Sequence, residues 1–441
     1  MEIVIGSNSY TALENVTFSP EVSVAGTVLP IPEFTADIHT TDTIAVGEYA
    51  TMVGRGGLHF ARYWIVYAER TAPGVVRIRA QSRLTLLDRR TLPAVMYDKN
   101  NDYLYSILQG IFRDISREVT FPTSYPLTPY GGFFPEQTAR ERLLWFCLIA
   151  QAYVKTFGDA NTEAEYRDLI EIGPIDDTEI VVPEGKTFWR PTVTYKDHVT
   201  AIKVWAYSFD ERTPQSGEKS VTDGTHTWVV TKQAHTLSNP SAPSTAPENV
   251  VEVDISAVTE DNVDDVLSHL SKYYFPRTGV EFECVNNGEF WPGDKLQVYN
   301  GVGEIITGYA ERADFSFGVQ SRSRIQLTAC SLADSAELII RYMWDGAEIA
   351  RRVYHLPVGY VYSIQNPCQD VTTGRYRYVF RPVNATATGT IVAGTQTNTQ
   401  QLEVALKLDT KTKVLSILIV DEWHVEEQTV DGETVLVGVI A

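Results

Sequence analysis

One short stretch of sequence occurs twice in similar surroundings, and it constrains the fold more than any other feature. Residues 67–70 read Tyr-Ala-Glu-Arg, and the same four residues stand at 309–312. Each copy is followed by a turn and a second strand-like run, at residues 76–82 and 323–329. Repeats of this kind indicate duplicated structural units. The sequence therefore predicts two copies of one β-domain, against the alternative that two amphipathic hairpins share these residues by chance.

Residues 1–90 carry mainly strand signals. Residues 63–69 and 75–80 are two strand-like runs, and Pro73 and Gly74 between them supply the backbone angles of a turn. Polar and apolar residues alternate in the second run, as a half-buried strand requires. We expect residues 1–90 to form a first tube-like β-domain.

The hydrophobic period then changes to that of a helix. Apolar residues recur at helical spacing over residues 104–115, with Asp102 placed to cap the first turn. A second helix is predicted to begin at the capping box that starts at Thr138 and to continue to Gly158. Residues 91–174 are therefore predicted to form an α/β insertion domain.

The strand pattern returns over residues 175–335, which are predicted to form a second tube-like β-domain with long loops. One helix is expected after Thr259, because Val263, Val266 and Leu270 lie on a single helical face. Residues 233–271 contain seven acidic side chains and no Lys or Arg. This part of the surface is therefore expected to be strongly negative.

Residues 336–441 read as β structure throughout. Asp345-Gly346 and Asp431-Gly432 each stand between two apolar runs, which is a strong hairpin signal. The predicted fold class is therefore α+β and rich in β structure. It comprises two related tube-like barrel or sandwich domains, the α/β insertion between them and a C-terminal all-β domain.

Composition limits the classes of function. The 441 residues include 37 Lys+Arg against 56 Asp+Glu, a net charge of −19, which disfavours sequence-specific binding to nucleic acid phosphates. The four cysteines lie far apart without a CxxC pair, as expected of a protein made in a reducing cytoplasm. No apolar stretch reaches the roughly 20 residues of a membrane helix. No secretory signal is recognisable at the N-terminus either.

A charged cluster near the C-terminus is the first candidate site. Asp421, Glu422 and His424 are followed by Glu426 and Glu427, which together could suggest a metal or acid–base site. Successive strand residues point to opposite faces, however, so these side chains cannot all converge. A solvated strand edge is the preferred interpretation.

The remaining candidates also favour structural roles. The eight histidines form no HExxH pattern, and the chain has no phosphate-binding loop or nucleophile elbow. Residues 291–294, Trp-Pro-Gly-Asp, are interpreted as a tight turn. The tyrosine-rich loops at 125–134 and 354–362 could bind sugars, but a subunit interface is preferred. We therefore predict a protein that is not an enzyme, with no catalytic, cofactor-binding or metal-binding residues and no cofactor.

The order of these parts resembles the baseplate and tail-tip hub proteins of tailed bacteriophages, which are related to late control proteins and to the hubs of contractile injection systems. The resemblance rests on residues 79–88, on the paired helices at 103–118 and 138–157, on the helix after Thr259, and on residues 290–298 before the second hairpin. It covers about residues 1–335.

The resemblance implies a structural protein of the virion, located at the tail tip or baseplate. Such a hub is a homotrimer in which six β-domains match a six-fold tail tube. Its expected partners are the tail tube or distal tail protein above, a spike, fibre or tip protein below and the tape measure protein in the lumen. DNA would pass through transiently during ejection, and acidic residues lining the bore would repel its phosphates.

Two alternatives from other classes stay open at this point. Fifty-six carboxylates make some glycosidase-like spacing unavoidable, so a tail-associated peptidoglycan hydrolase is one alternative. A carbohydrate-binding tail adhesin, with its binding in residues 336–441, is the other.

Overall fold

The computed structural model describes residues 1–12, 16–54, 59–113, 119–158, 170–183, 186–188, 190–300, 305–317 and 321–333, and beyond them only the backbone of strands from residue 335 onward. The chain divides into two compact units, residues 1–296 with 307–331 and residues 297–306 with 332–441. Strands make up 48% and helices 14% of the structure, which confirms the β-rich α+β class. The division into four domains remains a prediction.

Residues 1–90, for which we keep the predicted name first β-domain, contain seven described strands. They are β1 (Glu2–Ile5), β2 (Asn8–Thr11), β3 (Thr17–Phe18), β4 (Glu33–His39), β5 (Tyr49–Val53), β6 (His59–Ala72) and β7 (Val75–Gln81). In β7 the side chains of Val76, Ile78 and Ala80 are buried while Arg77 and Arg79 are exposed, so the alternation predicted from the sequence is confirmed. Ala12 bridges to Ile38 of β4, which shows that the sheet curls back towards its own first strands.

The insertion carries two helices and several short strands. The strands are β8 (Thr91–Leu92), β9 (Val95–Tyr97), β10 (Val119–Thr120), β11 (Gly132–Phe134), β12 (Gln137–Thr138), β13 (Tyr153–Lys155) and β14 (Ile170–Gly173), and the helices are α1 (Leu104–Phe112) and α2 (Ala139–Ile149). The prediction that Asp102 caps α1 is wrong. Asp102 instead accepts the N–H of Asp98 at 2.9 Å and closes the preceding turn, while Ser106 Oγ accepts the N–H of Tyr103 at 3.2 Å.

The second helix begins as predicted and ends earlier. Thr138 Oγ1 accepts the N–H of Glu141 at 3.1 Å, and the Glu141 carboxylate accepts the N–H of Thr138 at 2.8 Å. The predicted extension to Gly158 is wrong, because Gln151 adopts a left-handed φ of 52° and the N–H of Ala152 bonds back to the carbonyl of Cys147. This hydrogen bond is that of a Schellman termination, and the chain then continues as strand β13.

Residues 175–335, for which we keep the predicted name second β-domain, contain ten described strands and one helix. The strands are β15 (Glu179–Val181), β16 (Thr192–Tyr195), β17 (Ala201–Glu211), β18 (Ser220–Thr222), β19 (Thr227–Ser238), β20 (Val250–Val253), β21 (Thr278–Val285), β22 (Lys295–Tyr299), β23 (Ile305–Phe317) and β24 (Ser321–Ala333), and the helix is α3 (Val263–Tyr274). Strands β17 to β20 form a separate four-stranded sheet in the order β18-β19-β17-β20. Helix α3 buries Val263, Val266 and Leu270, as predicted.

The two β-domains share one continuous sheet. Eleven of its thirteen described strands follow the order β16-β21-β24-β23-β3-β4-β7-β6-β5-β1-β2, and the other two, β15 and β22, lie off this path. The strand β3, only two residues long, lies between β4 of the first β-domain and β23 of the second. The path through the sheet therefore passes from one β-domain to the other at β3.

Beyond residue 333, the described residues of the second unit form eleven strands. They are β25 (Ser335–Trp344), β26 (Ala347–Pro357), β27 (Val361–Ile364), β28 (Val371–Thr373), β29 (Tyr376–Tyr378), β30 (Phe380–Pro382), β31 (Gly389–Val392), β32 (Thr399–Asp409), β33 (Val414–Ile419), β34 (His424–Val430) and β35 (Glu433–Val439). Strands β25 and β26 pair antiparallel, and so do β34 and β35, as the two predicted hairpins require. The two Asp-Gly turns themselves lie outside the described residues.

Candidate functional site

The candidate site is the junction at which β3 joins the two β-domains. Phe18 pairs with Phe315 and Thr17 with Ser316 in an antiparallel register. The pairing continues past β3, because the N–H of Ala313 donates to the carbonyl of Pro20 at 3.1 Å and the N–H of Val22 donates to the carbonyl of Glu311 at 2.9 Å. The backbone of residues 17–22 thus forms a hydrogen-bonded seam with β23.

Aromatic side chains fill the core behind this seam. Phe315 is 4% exposed and lies against Phe18, Phe60 and Trp291, with ring centroids 5.7, 5.6 and 5.3 Å apart. Aromatic pairs of this kind add to the stability gained from burial alone. Because Phe18 and Phe60 belong to the first β-domain and Trp291 and Phe315 to the second, one apolar cluster holds both.

Two turns with the same hydrogen bonds support the relationship between the β-domains. The N–H of Gly47 donates to the carbonyl of Ile65 at 2.9 Å, and the N–H of Ile65 donates to the carbonyl of Glu48 at 2.8 Å. Gly293, Asp294 and Ala310 make the same two bonds, at 2.7 and 2.9 Å. The φ angles of the two glycines are 97° and 100°.

These turns define which residues are equivalent, and they correct the sequence-based alignment of the repeat. Ile65 occupies the position of Ala310, so Tyr67 does not correspond to Tyr309. The environments agree with this correction, since Tyr67 is 41% exposed and Tyr309 is 5% exposed. The two Tyr-Ala-Glu-Arg stretches therefore occupy different positions in their hairpins.

The polar face of the shared sheet carries charges of both signs. Arg77 Nε lies 2.7 Å from Asp37 Oδ1, and Arg324 Nε lies 2.7 Å from Glu281 Oε1 on the neighbouring strand. Arg312 lies 2.8 Å from Asp314. Arginine and carboxylate side chains alternate across the described strands, so this face is not predominantly acidic.

The acidic excess lies elsewhere, on the four-stranded sheet and the start of α3. Among the seven acids of residues 233–271, Glu252 pairs with Lys203 at 3.2 Å and Asp261 with Lys99 at 2.8 Å. Asp254 pairs with Lys232. The bases that compensate this segment thus come from outside residues 233–271.

The predicted turn at Trp291 is confirmed. Asp294 Oδ2 accepts the N–H of Trp291 at 2.7 Å, and the N–H of Asp294 donates back to the Trp291 carbonyl at 3.1 Å. Burial raises the pKa of the Asp294 carboxyl, although the Trp291 N–H favours its charged form. The side chain of Trp291 packs on Phe60 and Phe157. Asp294 and Trp291 are therefore both committed to structure.

In the first tyrosine-rich loop, Tyr125 and Tyr130 are buried within the chain, so neither can contact a sugar or a second subunit. Tyr125 and Tyr130 are each 5% exposed, and Tyr130 donates its hydroxyl hydrogen to the carbonyl of Ala257 at 2.7 Å. Burial raises the pKa of both phenols. The preference for an interface at these two residues is therefore wrong, because Tyr125 packs on Phe146 of α2 and Tyr130 packs on Tyr97 and Phe134 within the same chain.

The other candidates from the sequence are not brought together in the described part of the molecule. Asp421 and Glu422 lie outside the described residues, and so do the side chains of His424, Glu426 and Glu427. Among the residues whose side chains the structure describes, no three His, Cys, Asp or Glu side chains are placed to hold a metal ion. None of the described helices is long and apolar enough to cross a membrane.

Comparison with known proteins adds fold relatives only. No protein-family model and no curated protein matches the chain. The 43 kDa tail protein of prophage MuSo2 from Shewanella oneidensis is similar with a TM-score of 0.53 and 9% identity, over 74% of this chain and 97% of that one. A tail protein from Neisseria meningitidis MC58 gives 0.49 and 10%, over 74% and 95%. Prophage tail protein gp18 from Listeria monocytogenes EGD-e gives 0.49 and 10%, over 74% and 94%.

Over 74% of the chain, the fold is therefore similar to that of the MuSo2 tail protein. The resemblance to phage tail proteins is therefore confirmed at the level of the fold by the MuSo2 protein. The signal that sequence reasoning missed is the seam of residues 17–22, because a strand of two residues leaves no periodic pattern to detect.

Proposed function

We propose that this chain is a non-enzymatic structural protein of the virion, a trimeric hub that terminates a phage-type tail tube and joins it to the tip, spike or receptor-binding apparatus. The observation that supports this proposal is the seam at β3, which joins strands of residues 1–90 and strands of residues 175–335 in one sheet. Three such chains would present six similar domains to a six-fold tube.

The charge distribution refines the expected role in DNA passage. The polar face of the shared sheet carries paired arginines and carboxylates, so the hypothesis of an acidic bore gains no support from it. A face whose arginines are engaged by carboxylates would still offer few free cations to a passing phosphate backbone. In this proposal DNA slides because the arginine side chains are paired with carboxylates and do not bind its phosphates.

The native mass of the full chain tests the proposal. One chain has a mass of 49.3 kDa, so a trimer has 3 × 49.3 = 147.9 kDa. Light scattering over a concentration series should approach this value. A mass that stays at 49.3 kDa with purified chain, both alone and mixed with the tail tube protein, would contradict the hub assignment.

A further inference from the structure

The seam inside the chain provides a template for contacts between chains. It joins the edge strand β3 of the first β-domain to the second half of β23 in the other β-domain. If the two β-domains are related, each should contain an edge strand like β3 and a long strand whose second half can pair with such an edge strand. Two surfaces then remain for pairing between chains. One is the half of β6 that corresponds to the second half of β23, and the other is the strand that corresponds to β3.

Hydrogen bonding identifies the corresponding half of β6. Ile65 and Ala310 occupy equivalent positions, as the Gly47 and Gly293 turns show. Ala313, which donates its N–H to Pro20 across the seam, lies three residues after Ala310. The equivalent residue in the first β-domain is Ala68, again an alanine in the middle of its strand.

This half of β6 has an open edge. Strand β5 pairs with residues 59–64 of β6, and β7 covers the opposite side. Within the part of the chain that the structure describes, no strand lies on the β5 side of residues 66–72. The corresponding edge of β23 is the one that residues 17–22 occupy.

Strand β16 has the neighbours expected of the counterpart of β3. It pairs with β21 as β3 pairs with β4, and β21 pairs with β24 as β4 pairs with β7. Among the described strands it is the terminal one of the shared sheet, with Thr194 and Tyr195 exposed. Its four residues, Thr-Val-Thr-Tyr, include no charged residue and no proline, the residue types that protect an edge from pairing, and these stand only outside the strand, at Pro191 and Lys196.

The backbone of β16 is oriented for such pairing. The N–H of Lys196 donates to the carbonyl of Arg277 at 2.8 Å, so Lys196 points its backbone groups towards β21. Because these groups alternate along an antiparallel strand, the N–H and carbonyl of Val193 and Tyr195 point to the open side.

We propose that β16 of one copy pairs with residues 66–72 of β6 in a neighbouring copy, and so repeats between chains the seam that β3 and β23 make within one. The inference rests on the proposed function and names the surfaces by which the hub assembles. Because β16 and β6 are different surfaces, the contact is heterologous, and repeated contacts close into a ring when the rotation between copies permits it. In the ring every β-domain meets its neighbours through the same kind of seam.

Proline at the two open edges tests the proposal in the full-length chain. Val193→Pro and Ala68→Pro each remove one outward N–H that the seam would use, without removing an N–H bonded inside the sheet. Ser220→Pro is the matched control, since Ser220 lies exposed on β18, an edge strand of the four-stranded sheet. Thermal melting establishes that each variant is folded.

We expect the unsubstituted chain and Ser220→Pro to form trimers over the same concentration range. Val193→Pro and Ala68→Pro should raise the concentration needed for assembly at least about tenfold, because each removes one hydrogen bond of the seam and the proline ring disturbs the strand pairing around it. Folded variants that assemble like the unsubstituted chain would overturn this inference and leave the trimer itself standing. An unsubstituted chain that never assembles would overturn both proposals.

Hydrogen exchange supplies a readout that does not depend on a variant folding. In the assembled chain the amides of Val193 and Ala68 should exchange slowly, although neither has an acceptor within the described part of its own chain. The amide of Ser220 should exchange rapidly. Equal, rapid exchange at all three amides in the assembled chain would also overturn the inference.

Discussion

At the scale of single residues, a buried asparagine organises the loop that leads into the aromatic core. Asn286 is fully buried, and its Oδ1 accepts the N–H groups of Gly288, Glu289 and Phe290 at 2.9 to 3.2 Å. Its Nδ2 donates to the carbonyl of Phe290 at 2.7 Å and to Ser323 Oγ at 2.9 Å. One side chain therefore satisfies several buried backbone groups at once.

Asn286→Ala should lower the free energy of unfolding by about 2–4 kcal/mol, because it leaves these groups buried without partners. Asn287→Ala is the matched control, since Asn287 is the exposed neighbour and its truncation should change stability by less than about 0.5 kcal/mol. Urea denaturation of both variants measures the difference. Equal effects at the two positions would contradict the assigned role.

A buried histidine on α3 makes stability depend on pH. His269 is 8% exposed, and its Nε2 donates to the carbonyl of Ala25 at 3.2 Å. Burial, with a contribution from the charge of Lys272, lowers the pKa of His269 to about 4. The unfolded chain, with an ordinary pKa near 6.5, takes up the proton first as the pH falls.

We therefore expect this residue to reduce stability progressively between pH 6.5 and about 4, by up to about 3 kcal/mol. His269→Gln, which keeps a donor for Ala25, should remove that part of the pH dependence. His226→Gln, at an exposed position, should not. Thermal or urea melts at pH 4.5 and 7.5 compare the three proteins, and an unchanged pH difference in His269→Gln would contradict the prediction.

At the scale of elements, the two equivalent turns offer a matched pair of substitutions. Gly47 and Gly293 share a left-handed φ, but a Cβ on Gly47 would meet nothing within 4 Å whereas one on Gly293 would lie 2.8 Å from the ring of Tyr153. Gly47→Ala should cost about 1 kcal/mol from backbone strain alone. Gly293→Ala should cost at least about 2 kcal/mol, since the ring must also move. Equal losses in equilibrium unfolding would mean that the Tyr153 contact contributes nothing.

The helices show how far local sequence determines an element. The start of α2 could be predicted, because Thr138 and Glu141 are a capping pair whose hydrogen bonds depend only on residues three apart. Its end could not, because the usual signal is a glycine and the left-handed position here is Gln151. The predicted cap at Asp102 was wrong for a related reason. The Asp102 carboxylate accepts the backbone N–H of Asp98, a local partner outside the helix.

The candidate site was only partly predictable. The two hairpins could be found from alternation, which is a local property of β6 and β7. The seam depends on Phe18 meeting Phe315, and no period links residues so far apart in the sequence. The identical Tyr-Ala-Glu-Arg stretches pointed to the correct hairpins but to the wrong register, because Tyr67 and Tyr309 differ in position and burial.

At the scale of the whole molecule, the shared aromatic cluster should make the two β-domains unfold together. Phe315→Ala should lower the free energy of unfolding by about 3–5 kcal/mol, because it opens a cavity between Phe18, Phe60 and Trp291. Leu127→Ala, at a residue that is 77% exposed, should have little effect. Denaturation followed by tryptophan fluorescence measures both. A loss below 1 kcal/mol for Phe315→Ala would contradict this account of the junction.

The position of β3 also has a consequence for the nascent chain. The seam partner of Phe18 is Phe315, which the ribosome adds roughly 300 residues later, or about 15 to 60 s at elongation rates of about 5 to 20 residues per second. During that interval one edge of the first β-domain has no strand to cover it. Because uncovered edges can capture strands from other chains, this interval exposes the protein to mispairing on crowded polysomes, where several copies are synthesised side by side.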